Sequence, residues 1–165
     1  MSDRVTSSEE LRETLLAAID PLPTTAGGMA IVVATAGPPP AITPLSTGDI
    51  VVDGDTVRLA LFADNSAVGR LGGSCTLLVP TEVGALRVSL QPATAREAGP
   101  LAVIEGPIVS IRPSSEPPWA LRLEFRPTAE EGRDAFVDYW SRVRSWLKRG
   151  APGEGPQPPT TPKTS

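Results

Sequence analysis

The stretch AITPLSTGDIVVDGDTVRLALF, residues 41–62, decides the fold class. Ala41 to Val52 is apolar and β-branched and predicts a strand bent near Gly48, Asp53-Gly54-Asp55 predicts a hairpin turn, and Thr56 to Phe62 predicts the returning strand. Upstream, Met29 to Thr35 is a short apolar run that predicts a buried strand. Between the two, Gly37-Pro38-Pro39-Pro40 forces a turn, because successive prolines fix φ and remove ladder donors. Three antiparallel strands in succession are expected.

Downstream, Asp64, Asn65 and Ser66 are cap-type residues, and Val68 and Leu71 stand at i, i+3. They predict a short helix that closes at Gly72-Gly73. Cys75 to Pro80 and Gly84 to Gln91 predict two more strands, the second with Leu86, Val88 and Leu90 on one face. Ala93 to Gly99 predicts a helical turn or loop. Leu101 to Arg112 predicts a long strand with a bulge or edge position at Gly106-Pro107, and Trp119 to Arg126 alternates cleanly and predicts another strand.

Helices flank this β-rich region. Ser7 and Glu10 form a capping-box pattern ahead of Leu11, Leu15, Leu16 and Ile19, which predicts an amphipathic helix ending at Asp20-Pro21. Pro127-Thr128 opens a second helix running to about Lys148, with Phe136, Tyr139, Trp140, Val143, Trp146 and Leu147 as its apolar stripe. The boundaries follow: residues 1–26 as N-terminal amphipathic helix and linker, 27–149 as the β domain with its C-terminal helix, and 150–165 as a disordered proline-rich tail.

Composition excludes several function classes. The 165 residues include 19 prolines and 15 glycines, about a fifth of the chain and too many for a helical bundle. A net charge of −4 argues against a nucleic-acid partner, which calls for a basic field. With no histidine, Ser-His-Asp and Cys-His triads and HExxH zinc sites are absent. The single cysteine, Cys75, allows neither an internal disulfide nor a thiolate metal cluster, and it is read as inert core. Asp49, Asp53 and Asp55 are read as turn formers, so no metal site is expected. No apolar run approaches the ~20 residues that span a bilayer, and the N-terminus lacks the apolar core of a signal peptide. A cytoplasmic protein with no membrane partner is expected.

Six or seven short strands, a short helix after the third and a helix at the C-terminal end describe a small antiparallel β-barrel. Residues Ala34 to Val79 resemble the core of the FMN-binding split-barrel family, which includes pyridoxamine 5′-phosphate oxidase and its flavin- and deazaflavin-using relatives. The segments that carry the resemblance are Ile42-Thr43-Pro44-Leu45-Ser46, Asp53-Gly54-Asp55-Thr56, Leu59-Ala60-Leu61-Phe62 and Asn65-Ser66-Ala67-Val68-Gly69-Arg70-Leu71. Element order extends the match from Met29 to Phe125. The fold expected from it is mainly β with flanking helices, a six- to seven-stranded antiparallel split β-barrel.

The resemblance implies a homodimer with FMN at its interface, the ring along Pro44, Leu45 and Ser46, and the phosphate near the start of the helix at Asn65 and Ser66. Ala67 stands where the family has its phosphate-binding Lys or Arg, and Ser66 where the other basic residue stands. Arg70, or Arg58 or Arg87 from a strand, is the candidate replacement cation. The function implied is a flavin-dependent, pyridoxamine 5′-phosphate oxidase-like oxidoreductase of unassigned substrate. Two alternatives stand beside it: a split-barrel dimer without flavin acting as a binding or assembly module, and a relative that binds the deazaflavin F420.

Overall fold

The bend near Gly48 organises the molecule. In the computed structural model, which describes residues 7–22, 29–34, 39–81, 84–113 and 133–160, the expected strand 41–52 is two strands. β2 (Ala41–Ser46) and β3 (Ile50–Asp53) are separated by a single 3-10 turn at Thr47–Asp49. Around them lie α1 (Ser8–Ile19), β1 (Met29–Ala34), β4 (Thr56–Phe62), β5 (Cys75–Thr81), β6 (Gly84–Leu90), β7 (Thr94–Ala98), β8 (Leu101–Pro113) and α2 (Arg133–Lys148).

All eight strands join one antiparallel sheet in the order β2-β1-β5-β6-β8-β4-β3, with β7 paired to β8. β2 and β3 therefore stand at opposite ends of the path although three residues connect them. The four Cα steps from Ser46 to Ile50 reach no more than about 14 Å, so the sheet must curl until its ends nearly meet. The result is a barrel with a split between β2 and β3. The expected antiparallel succession holds on either side of the bend, but the bend divides the middle strand into two. β1 pairs with β2 from Met29↔Ser46 to Ala34↔Ala41, and β3 pairs with β4 from Ile50↔Leu59 to Asp53↔Thr56, but β2 and β3 do not pair.

Alternation along the strands assigns the two faces. Val57, Leu59 and Leu61 of β4 join Val32, Leu77, Val88, Leu90 and Ile104 in the barrel interior. Leu15 and Ile19 of α1 complete this cluster, and the helix starts as expected: the Ser7 hydroxyl accepts from the Glu10 N–H and the Glu10 carboxylate accepts from the Ser7 N–H. On the outer face, Val51, Ala60, Leu101 and Val103 meet Tyr139, Val143, Trp146 and Leu147 of α2. A second buried layer explains why β3, β4 and β8 carry apolar residues on both faces.

Three further elements differ from expectation. The segment expected as a helical turn or loop at Ala93 to Gly99 contains β7, which forms a hairpin with β8 from Thr94↔Glu105 to Ala98↔Leu101. Thr94 to Glu97 are exposed and only Ala98 is buried, so backbone pairing holds this strand and no apolar pattern announces it. The short helix expected at Asn65 to Leu71 is a 3-10 turn of three residues, Val68–Arg70. The chain after Gly150, expected as a disordered tail, is docked over its first residues: Ala151 is buried, its carbonyl accepts from Arg96 Nη2 at 2.6 Å, Trp146 Nε1 donates to Pro152 O at 2.9 Å, and Gly155 N donates to Ala98 O at 2.8 Å. Composition conceals this because the contacts are made mostly by backbone.

Gly106 lies within β8, where a Cβ would come 2.7 Å from the Pro92 carbonyl oxygen. The bulge expected near Gly106-Pro107 lies in β8 itself, two residues on: Ser89 of β6 pairs with Ser110 and Leu90 with Ile108, which leaves Val109 as the extra residue. The expected strand Trp119 to Arg126, the start of the last helix at Pro127-Thr128 and the end of the tail lie outside the described residues.

Candidate functional site

Where the barrel splits, β2, β4 and α2 enclose a pocket of about 160 Å³. Thr43, Pro44, Leu45 and Ser46 supply one wall, Ala60, Leu61 and Phe62 another, and Phe136, Tyr139 and Trp140 the helical side. Asn65, Asp49 and Leu101 also line it. Four residues expected to bind a cofactor, Pro44, Leu45, Ser46 and Asn65, are thus brought to one place. Phe62 and Phe136, 50% and 36% exposed, keep much of their surface open to solvent.

Local chemistry fixes these positions. The Ser46 hydroxyl accepts from Gly48 N at 3.0 Å and caps the 3-10 turn that ends β2. Asn65 Oδ1 accepts from the Thr43 hydroxyl at 3.0 Å and from Ala67 N at 2.9 Å, tying the 65–70 turn to β2. Gly48 lets α2 approach: a Cβ there would fall 2.5 Å from Trp140 Cβ and 2.9 Å from its Cγ. Gly48→Ala should therefore destabilise the protein by about 1–3 kcal/mol, with the urea midpoint falling at unchanged m. Gly69→Ala, where a Cβ meets nothing within 4 Å, should stay within about 0.5 kcal/mol of the parent. Equal midpoints for the two variants would contradict the close approach.

The other two expected cofactor residues stand apart. Ser66 is exposed and is not part of the pocket lining, and Arg70 donates through Nη1 to the carbonyl of Pro39, just ahead of β2. The backbone of the 65–70 turn bonds to itself: Val68 N donates to Asn65 O at 3.0 Å and Arg70 N to Ala67 O at 3.1 Å. Arg58, another candidate cation, pairs with Glu105 and Asp53, and Arg87 lies exposed on β6.

Asp49 and the aromatic side of α2 belong to the site although the sequence reading gave them other roles. Burial pushes the Asp49 carboxyl up from 3.8 to about 7, against the lowering effects of a backbone hydrogen bond at Ser46 and the charge of Arg144. Tyr139 is pushed up to about 12 by burial first and the Asp49 charge second, with Arg142 opposing. A strongly perturbed acid in a pocket is a mark of a functional site. The available signal was the position of Asp49 between Gly48 and Ile50, inside an apolar run and ahead of the turn proper. Asp53 and Asp55 do act in the hairpin, where they pair with Arg58 and Arg12. Burial raises the Cys75 thiol to about 11, which leaves it protonated and unreactive.

The strand order and the joined edges decide the architecture. The chain has the split-barrel fold. No family model and no curated protein matches the sequence. Among solved structures the split barrel is similar to general stress protein 26 from Bacillus anthracis str. Sterne, at 10% identity and a TM-score of 0.47, covering 68% of this chain and 98% of that one. It is also similar to the styrene monooxygenase flavin reductase of Pseudomonas putida S12, at 11% identity and a TM-score of 0.46, covering 72% and 99%. A third similar structure is BorF, the flavin reductase component of a bacterial two-component tryptophan halogenase, at 14% identity and a TM-score of 0.45, covering 67% and 89%. Among the described residues of the split barrel, no helix is long and apolar enough to cross a membrane.

Proposed function

We propose that this protein is a flavin-binding split barrel of the oxidoreductase type, holding the flavin ring between β2, β4 and α2. The observation that carries this reading is the convergence of Pro44, Leu45, Ser46 and Asn65 on one aromatic-walled pocket. Those are residues that the sequence resemblance independently gave to the cofactor. A bound flavin supplies hydride or electron transfer at its ring, and the protein's part is to bind, orient and exclude water. Pro44, Phe62 and Phe136 would cover the apolar faces of the ring, while Ser46 and Asp49 offer polar partners at its edge.

The pocket is smaller than the roughly 300–1,000 Å³ of ligand sites in general. Ile42, at 64% exposure, and the half-exposed Phe62 leave apolar surface on β2 and β4. Both features favour a homodimer in which a second copy closes the site. The family's FMN is accommodated only in part, because Ser66 and Ala67 offer no cation and Arg70 is engaged elsewhere. That deficit favours the second reading, a split-barrel dimer that acts as a binding or assembly module without flavin.

Titration of the purified protein against flavins decides between them. Quenching of flavin fluorescence with a perturbed visible band is the expected result, and Phe62→Glu, at an exposed site, should weaken binding about tenfold by bringing a carboxylate to an apolar wall. No spectral change with any flavin would remove the oxidoreductase reading and leave the module.

A further inference from the structure

The charge around the pocket narrows the ligand further. Among the described residues no Lys or Arg lines it, and its acidic side chain is Asp49. The described arginine side chains of flanking elements are engaged: Arg70 with the Pro39 carbonyl, Arg58 with Glu105 and Asp53, Arg142 with Asp138, and Arg144 with the carbonyls of Ile19, Asp20 and Thr47. The 65–70 turn directs the N–H groups of Ala67, Val68 and Arg70 to acceptors within the turn. A phosphate ester needs cations or a set of convergent N–H donors to replace its hydration, and the described residues around this pocket provide neither.

We infer that the pocket takes a flat heteroaromatic ring without a phosphate tail, with Asp49 facing a ring N–H, and that it binds riboflavin at least as tightly as FMN. This rests on the ring reading of the preceding subsection. The two flavins carry the same ring and differ at the tail, so their affinity ratio isolates the phosphate. In ordinary phosphate-binding sites each charge-assisted contact is worth roughly one to two decades of affinity. Here the ester gains no such contact and faces a carboxyl.

The test is parallel fluorescence titration of the full chain with riboflavin and with FMN, repeated with Ser66→Arg. The parent should show a Kd for riboflavin equal to or below that for FMN. Ser66→Arg puts a cation at the exposed start of the turn. It should tighten FMN about tenfold while leaving riboflavin unchanged. FMN binding tenfold tighter than riboflavin in the parent would overturn the inference while the ring reading stands. An equal gain for both flavins, or for neither, in Ser66→Arg would overturn the charge account. Absence of binding by either flavin to the parent overturns both this inference and the ring reading.

Discussion

Arg144→Met is expected to lower the unfolding free energy by about 2–4 kcal/mol, the largest stability loss foreseen for a single side chain here. Arg144 is 9% exposed and reaches from α2 across the split. Its Nη1 donates to Asp20 O, and its Nη2 donates to Ile19 O at 2.6 Å and Thr47 O at 2.7 Å. Two of these carbonyls belong to the last turn of α1 and its cap, where acceptors have no partner within the helix. The third opens the 3-10 turn between β2 and β3. One guanidinium thus joins α2, the end of α1 and the bend that separates the two sheet edges.

Opposing this gain is the cost of burial, which lowers the Arg144 pKa against the raising effects of Asp20 and Asp49 and leaves Nε without a hydrogen-bond partner. Methionine keeps the unbranched apolar stem and so removes the three charge-assisted bonds while leaving little cavity. Two or three buried carbonyls lose their donor, at about 1–3 kcal/mol each, and relief of the desolvation penalty returns part of that. Arg144→Lys should recover only a fraction, because a single ammonium lacks the planar fork that reaches acceptors on separate elements. Urea midpoints for the parent and both variants provide the check. A Met variant within 0.5 kcal/mol of the parent would show that burial cost and hydrogen bonding cancel.

Much of the fold is legible in the sequence because local chemistry and tertiary demand agree. The Ser7–Glu10 capping box, the alternation in β6 and the aromatic stripe of α2 each appear where residue type and spacing place them. Separation of β2 from β3 is less legible. Thr47-Gly48-Asp49 reads as a bend within one strand, and only the strand order shows that the bend divides the sheet's two edges. β7 is hidden for another reason: an edge strand held by backbone pairing needs no apolar periodicity.

The candidate site is half legible. Pro44, Leu45, Ser46 and Asn65 lie in continuous motifs, whereas Phe136, Tyr139 and Trp140 reach the pocket only through the packing of α2. The same aromatic stripe serves the core at Tyr139 and the pocket at Phe136, and its spacing cannot tell one use from the other. Gly48 is the link between them. Its missing side chain lets Trp140 close on the turn, a long-range requirement with no local signature.

Asp49→Asn is expected to stabilise the protein at alkaline pH and to leave it nearly unchanged in acid. In the folded protein the Asp49 carboxyl is raised from 3.8 to about 7, mainly by burial. Below about pH 4 both folded and unfolded chains hold the proton, so no penalty exists. As pH rises from about 4 to about 7, the unfolded chain releases the proton while the folded chain retains it. Stability therefore falls, by up to about 1.4 kcal/mol per pH unit. Above about 7 both forms are ionised and the loss levels off. Partial exposure of Asp49 reduces the total, which we place at about 2–4 kcal/mol. Asparagine is nearly isosteric with the protonated acid and cannot ionise, so the stability difference between variant and parent should grow across that window and then stay constant. Urea denaturation of both proteins at about pH 4, 6 and 8 reads this difference directly, cancelling groups that titrate alike in both. A difference independent of pH would mean that Asp49 keeps an ordinary carboxylate pKa, removing the perturbed acid from the pocket's chemistry. A growing difference would identify a group held at a cost to folding, as expected of an acid retained to meet a ligand rather than to stabilise the barrel.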